Sequence, residues 1–227
     1  MKPHYWDDAL EHLAGDEVLR GVMGRFPDSV LKGRGAPFET LVRAVVGQQI
    51  SVKAADSVWK KLLGACPPAP RGSGEASSCS LREGDILTLS EAELQACGLS
   101  GQKVKYIVGI ARGFADGVVH PGLWEGMDDE VVIAELVKLP GIGRWTAEMF
   151  LMFNLLRPNV LPVGDLGLLN GFVKLYGPVR GTAKLEGPKR LKKIAAAVDK
   201  HAVRWHPYRT VATWFVWRSL DPVEVGY

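Results

Sequence analysis

Apolar positions recur at helical spacing along most of the chain. Phe38, Leu41, Val42 and Val45 follow Pro37, a residue favoured in the first turn of a helix. Val52, Ala55, Val58, Trp59 and Leu62 continue as a second amphipathic run. Ile107, Ile110, Ala111 and Phe114 repeat at i, i+3, i+4 and i+7, as do Leu191, Ile194, Ala195 and Val198. Ser90-Glu91-Ala92-Glu93 has the form of a capping box and predicts a further helix start. Strand alternation is almost absent and no internal repeat is evident, so the pattern predicts an all-α protein of eight to ten helices. Residues 66–85, rich in Pro, Gly and Ser, read as a long surface loop.

Composition narrows the class. Of 227 residues, 47% are hydrophobic and 23% charged, enough apolar content for a real core in one domain or two small ones. No apolar run approaches the ~20 residues that span a bilayer, and the first residues lack the apolar stretch of a signal peptide. The expected location is therefore the cytoplasm or another reducing compartment. Cys66, Cys79 and Cys97 are too few and too scattered for a zinc ribbon or a four-cysteine iron–sulfur cluster, and read as free thiols. Net charge is only +3, yet residues 174–218 hold eleven Lys or Arg against Glu186 and Asp199, a net +9. Such a segment suits a polyanion-facing surface, and equally suits a solvated helix face.

The most informative stretch is residues 130–150, EVVIAELVKLPGIGRWTAEMF. A helix ending near Lys138, a tight Leu139-Pro140-Gly141-Ile142-Gly143 turn and a second helix from Arg144–Thr146 make a hairpin. Its glycines admit unusual dihedrals and close backbone approach. The second helix would present unpaired N–H groups at its positive end, a seat for phosphate that reads no sequence. Leu139 and Ile142 would anchor the turn in the core.

The full string Leu-Pro-Gly-Ile-Gly-Arg-Trp-Thr-Ala resembles the helix-hairpin-helix of the base-excision DNA glycosylases, and most of all DNA-3-methyladenine glycosylase II of the alkylated-base branch. FETLVRAVVGQQISVKAA from Phe38, CGLSGQKVKYI from Cys97 and LPVGDLGL from Leu161 resemble further family segments, in the same order. The resemblance runs from about Pro37 to Leu220. It implies the helix-hairpin-helix glycosylase fold, with two helical subdomains flanking a catalytic cleft: residues 1–35 with 160–227, and residues 36–159 with the hairpin at 136–150. It also implies the compact form, without the amino-terminal β-domain of larger members.

Site residues follow from the same match. Asp165 falls at the family's catalytic aspartate; by itself it reads as a helix N-cap, and the two roles are compatible. Gln49, with Gln48 beside it, falls at the wedge that fills the gap left by a flipped base; unaided, both are a polar helix end. Ser51, Gly141, Gly143 and Thr146 fall at contacts to the DNA backbone. Trp145 and Trp217 match pocket tryptophans whose electron-rich faces suit a cationic alkylpurine, and Met149 stands where relatives carry an aromatic residue. The carbonyls of Val137, Leu139 and Ile142 fall where the family holds a monovalent cation, Na⁺ or K⁺.

The implied reaction is hydrolysis of the N-glycosidic bond of alkylated purines in double-stranded DNA by a monomeric enzyme needing no cofactor. The bifunctional branch carries a Schiff-base lysine where this chain has Trp145, so no lyase step is expected. The competing reading is a non-catalytic helix-hairpin-helix protein that binds DNA or scaffolds repair partners. Such a protein needs the hairpin, but not Asp165 and two pocket tryptophans.

Overall fold

The computed structural model describes residues 2–67 and 81–220. Among these there are twelve α-helices, two short 3₁₀ turns and no strand, so the all-α expectation holds while the count of eight to ten is too low. The surplus comes from helices of five to nine residues, such as Glu83–Leu87, Trp6–Leu13 and Glu17–Arg25. One or two turns give too few repeats for the period to be read. Glu83–Leu87 also shortens the expected loop at its far end, burying Ile86 completely. Residues 68–80 of that loop, Cys79 among them, lie outside the described residues; buried Cys97 is a free thiol. No helix among the described residues is long and apolar enough to cross a membrane.

The chain divides into two compact units, Met1–Gly33 with Leu151–Tyr227, and Arg34–Phe150. The first contains α1 (Trp6–Leu13), α2 (Glu17–Arg25), α10 (Leu166–Tyr176), α11 (Gly187–His201) and α12 (Arg209–Leu220). Its second stretch begins at Leu151 rather than at residue 160, because the intervening segment is bound into this unit. The Thr210 hydroxyl donates to Arg157 O (2.5 Å) and accepts from Val160 N–H (3.0 Å), and Leu156 packs on Gly33. α12 is buried on every face over 210–216, Thr210 and Thr213 included, as expected of a central helix. Trp6 of α1 meets Trp214 edge-on at 5.5 Å, and a side chain on Gly171 of α10 would strike Val216.

The second unit contains α3 (Pro37–Gly47), α4 (Val52–Ala65), α5 (Glu83–Leu87), α6 (Glu91–Ala96), α7 (Gly101–Ala115) and α8 (Asp129–Leu136). α9 (Arg144–Phe153) begins here and carries the chain back to the first unit. α7 is its central helix, packed by α3, α5 and α6, with Val104, Ile107, Ile110 and Ala111 buried. Each of α4, α6 and α7 starts at a serine, Ser51, Ser90 or Ser100, whose hydroxyl accepts a first-turn N–H. Buried Glu135 is satisfied by His120 N–H, His120 Nδ1 and Trp124 Nε1 at 3.2, 2.8 and 2.7 Å. Burial alone would raise its pKa; those bonds outweigh it and leave it below the usual glutamate value.

Candidate active site

In the second unit the hairpin forms as its sequence suggests. Lys138 and Leu139 N–H groups wind down onto Glu135 and Leu136 carbonyls, Ile142 N–H closes the turn onto Leu139 O at 3.2 Å, and Ala147 N–H on Gly143 O opens α9. Leu139 and Ile142 are buried. The two glycines differ in their reasons. Gly141 has φ +79°, and a Cβ there would lie 2.5 Å from the Tyr106 ring. Gly143 has no left-handed φ; it is exposed with open space around it, so its value lies in leaving the start of α9 bare.

Arg144 is the motif's one guanidinium, and it is spoken for. It grips Glu130 through both Nη atoms (2.9 and 2.6 Å) and Glu148 through Nε (3.0 Å), which raises its pKa above the usual arginine value. Sequence reasoning assigned it no role; here it fastens α8 to α9. Thr146 is buried, which leaves Gly143, Arg144 and Trp145 as the exposed residues of the first turn. Trp145 is 43% exposed, while Met149, one turn on along the same face, is 8% exposed.

Between α3 and α4 the chain turns sharply. Gln48 caps α3 and donates from Nε2 to Gly141 O at 3.1 Å, so it ties this turn to the hairpin. Gln49 follows with φ +57° and is exposed, Ile50 is 40% exposed, and Ser51 caps α4. The two glutamines expected to act side by side thus do different things.

In the first unit Asp165 is the N-cap of α10. Its Oδ1 accepts Leu168 N–H at 2.6 Å and the Trp217 indole N–H at 2.7 Å. Trp217 in turn stacks on Phe153, with centroids 6.1 Å apart and planes 18° from parallel. Thr210 and Trp217 lie seven residues apart on one face of α12, so one helix steadies both the approach segment 157–160 and the carboxylate itself. The Trp217–Asp165 bond escaped sequence reasoning, which saw Trp217 only as a ring for the base. Phe153 was missed as well, although its place eight residues after Trp145 on α9 was a readable signal.

Comparison with known proteins agrees with this anatomy. The profile of the HhH-GPD superfamily base excision DNA repair proteins matches residues 42–198. DNA-3-methyladenine glycosylase 1 of Schizosaccharomyces pombe is 31% identical over 92% of this chain and 85% of its own length. A DNA-3-methyladenine glycosidase structure from Bacillus halodurans superposes with a TM-score of 0.73 at 30% identity, covering 92% of this chain and 87% of that one. The S. pombe 3-methyladenine DNA glycosylase in complex with abasic DNA gives 0.71 at 27% identity, covering 97% and 100%. The chain belongs to the HhH-GPD superfamily of base excision DNA repair proteins.

Proposed function

We propose that the protein is a monofunctional DNA glycosylase that flips alkylated purines out of double-stranded DNA and hydrolyses their N-glycosidic bonds. The observation that carries this reading is the Asp165 carboxylate, held at the start of α10 by Leu168 N–H and the Trp217 indole. An alkylpurine cation leaves as a neutral base with the bonding electron pair, so it needs little protonation. As the bond breaks the sugar gains oxocarbenium character, and a fixed carboxylate stabilises that charge without reorganising. Asp165 also orients the water that adds to C1′ and takes its proton. The broad indole faces of Trp145 and Trp217 each suit a cationic ring, with Met149 behind Trp145. The place of action is wherever the DNA is, nucleoid or nucleus.

DNA is gripped through main-chain N–H groups at the start of α9, beside Gly141 and Gly143, with Ser51 as a further backbone contact. On α11 the exposed Lys189, Lys192, Lys193 and Lys200 share the face opposite buried Ile194 and Val198. That stripe supports a polyanion partner. The hairpin also suits the family's monovalent cation. Among the described residues the carbonyls of Val137 and Ile142 accept no main-chain hydrogen bond outside helices, and Leu139 O, bonded once by Ile142 N–H, keeps a second lone pair. Na⁺ or K⁺ held there would stiffen the turn.

Release of free methylated base from methylated duplex DNA tests the assignment; DNA binding without release would favour the scaffold reading. Because Trp145 is no nucleophile, the product should carry intact abasic sites. Borohydride added during turnover is expected to trap no covalent adduct, and a substantial yield of adduct would overturn the monofunctional assignment. Gly143→Val should keep its melting temperature, since nothing lies within 4 Å of the added Cβ, yet bind abasic-site DNA more weakly at fixed salt. Unchanged affinity would count against a phosphate seat at this hairpin.

A further inference from the structure

One face of α7 carries more than core packing. Lys103, Tyr106, Gly109 and Gly113 follow one another at intervals of three, three and four residues, which places them along a single stripe. Three of them seat the hairpin turn. A Cβ on Gly113 would collide with Leu139, one on Gly109 with Pro140, and the Tyr106 ring lies under Gly141. The fourth reaches elsewhere. Lys103 Nζ donates to Val46 O at 2.7 Å, in the last turn of α3, where the helix's negative end welcomes an ammonium. Three residues after Val46 comes Gln49, exposed and in the left-handed region. Between them, Gln48 ties the same turn to Gly141 O.

We propose that Lys103 is a positioning residue for base flipping, using α7 as a common footing to hold the Gln49 tip at a set distance from the backbone-gripping hairpin. The proposal rests on the glycosylase reading and on Gln49 as the wedge. A wedge works against the restoring force of the base stack, so it has to be backed by something that does not yield. A lone left-handed residue on a frayed helix end would swing away. Here the α3 terminus is pinned by an ammonium, and the following residue by an amide, to the same surface that seats the hairpin. Lys103 also sits in the SGQKVKYI segment, which the hairpin, the wedge and the catalytic aspartate leave without an assigned task. A carbonyl cap serving stability alone would explain the Val46 bond, but would place no demand on which lesion is repaired.

The test compares single-turnover base release from two duplexes that carry the same methylated purine, one opposite its normal partner and one opposite a mismatch. Flipping from the mismatch costs less, so it depends less on the wedge. Lys103→Met keeps the aliphatic stem and removes the ammonium. It is expected to slow release about 10-fold on the paired lesion, the scale of one charge-assisted hydrogen bond, and to leave the mispaired lesion nearly unchanged. Lys103→Arg should recover most of the paired-lesion rate. Gln49→Ala should show the same selectivity, and Lys103→Met added to it should cost little more. A 2-aminopurine beside the lesion should show less unstacking with Lys103→Met. Equal loss on both duplexes, no loss on either, or full additivity with Gln49→Ala would overturn the positioning role. Wild-type protein that binds both duplexes but releases base from neither would instead overturn the glycosylase reading beneath it.

Discussion

Asp165→Asn is expected to lower single-turnover base release by at least about 10²–10³-fold while leaving the fold and DNA affinity in place. The substitution is nearly isosteric. An amide oxygen at the Oδ1 position still accepts Leu168 N–H and the Trp217 indole, so the N-cap of α10 survives. What disappears is the negative charge opposing the developing oxocarbenium, and the base that takes the proton of water. Affinity for abasic-analogue DNA should persist, because the proposed phosphate contacts belong to the hairpin. Trp217→Phe makes a graded companion: the ring can still stack on Phe153, but the donor that orients the carboxylate is gone. Its rate should fall between wild type and Asp165→Asn. Near-native turnover by Asp165→Asn would remove Asp165 from the chemistry. Lost turnover accompanied by a collapsed melting temperature would reduce it to a helix cap, which is why both are measured on the same preparation.

How far this anatomy could be read in advance depended on how local each feature is. The hairpin, the Ser90 capping box and the Asp165 cap are built from residues within a few positions of one another, and all stood plainly in the string. Gly141 was legible for the same reason, since a turn of that length demands a left-handed residue. At Gly143 the unusual dihedral expected of both glycines is absent. The bonds that orient the site were not legible, because each joins residues far apart in the chain: Trp217 to Asp165, Gln48 to Gly141, Lys103 to Val46. Tryptophan, glutamine and lysine carry no signature of the acceptor they will meet. Arg144 drew no assignment for a related reason: a charge does not announce which acids it will meet, here Glu130 fourteen residues earlier and Glu148 one turn on.

The largest stability effect is expected at a residue to which the sequence drew no attention. Asp16, 9% exposed, caps α2 by accepting Val18 and Leu19 N–H, and its Oδ2 accepts Tyr176 OH (2.9 Å) and Trp205 Nε1 (3.2 Å), with His201 Nε2 also at 3.2 Å. It thus joins the first stretch of its unit to α10, α11 and the 3₁₀ turn of the last stretch, with the whole second unit lying between them in sequence. Asp16→Ala forfeits a cap and leaves the buried Trp205 indole and the half-buried Tyr176 and His201 searching for partners, a loss of about 3–5 kcal/mol. In a chain of this size that is roughly 10 °C in melting temperature. Asp16→Asn should recover only part of it, since its amide nitrogen would face the Trp205 N–H.

The same cluster sets the acid response. Burial pushes the Asp16 pKa up, but the bonds from Trp205, His201, Tyr176 and Leu19 prevail and leave it below the ordinary aspartate value of 3.8. Its stabilisation is therefore complete above that value and lost as pH falls through the lower folded one. Burial, with Arg204 nearby, lowers the His201 pKa from 6.5 despite the pull of Asp16, so the fold prefers the neutral ring. That contribution is complete above pH 6.5 and declines below it, as the unfolded chain takes up its proton first. Urea unfolding of wild type from pH 8 to pH 3 should show a first decline beginning near 6.5 and a second below 3.8. In Asp16→Asn the first decline should remain, since His201 has lost its one attracting carboxylate, and the second should shrink. Wild-type stability in Asp16→Ala at neutral pH, or an unchanged second decline in Asp16→Asn, would show that this cluster holds nothing together.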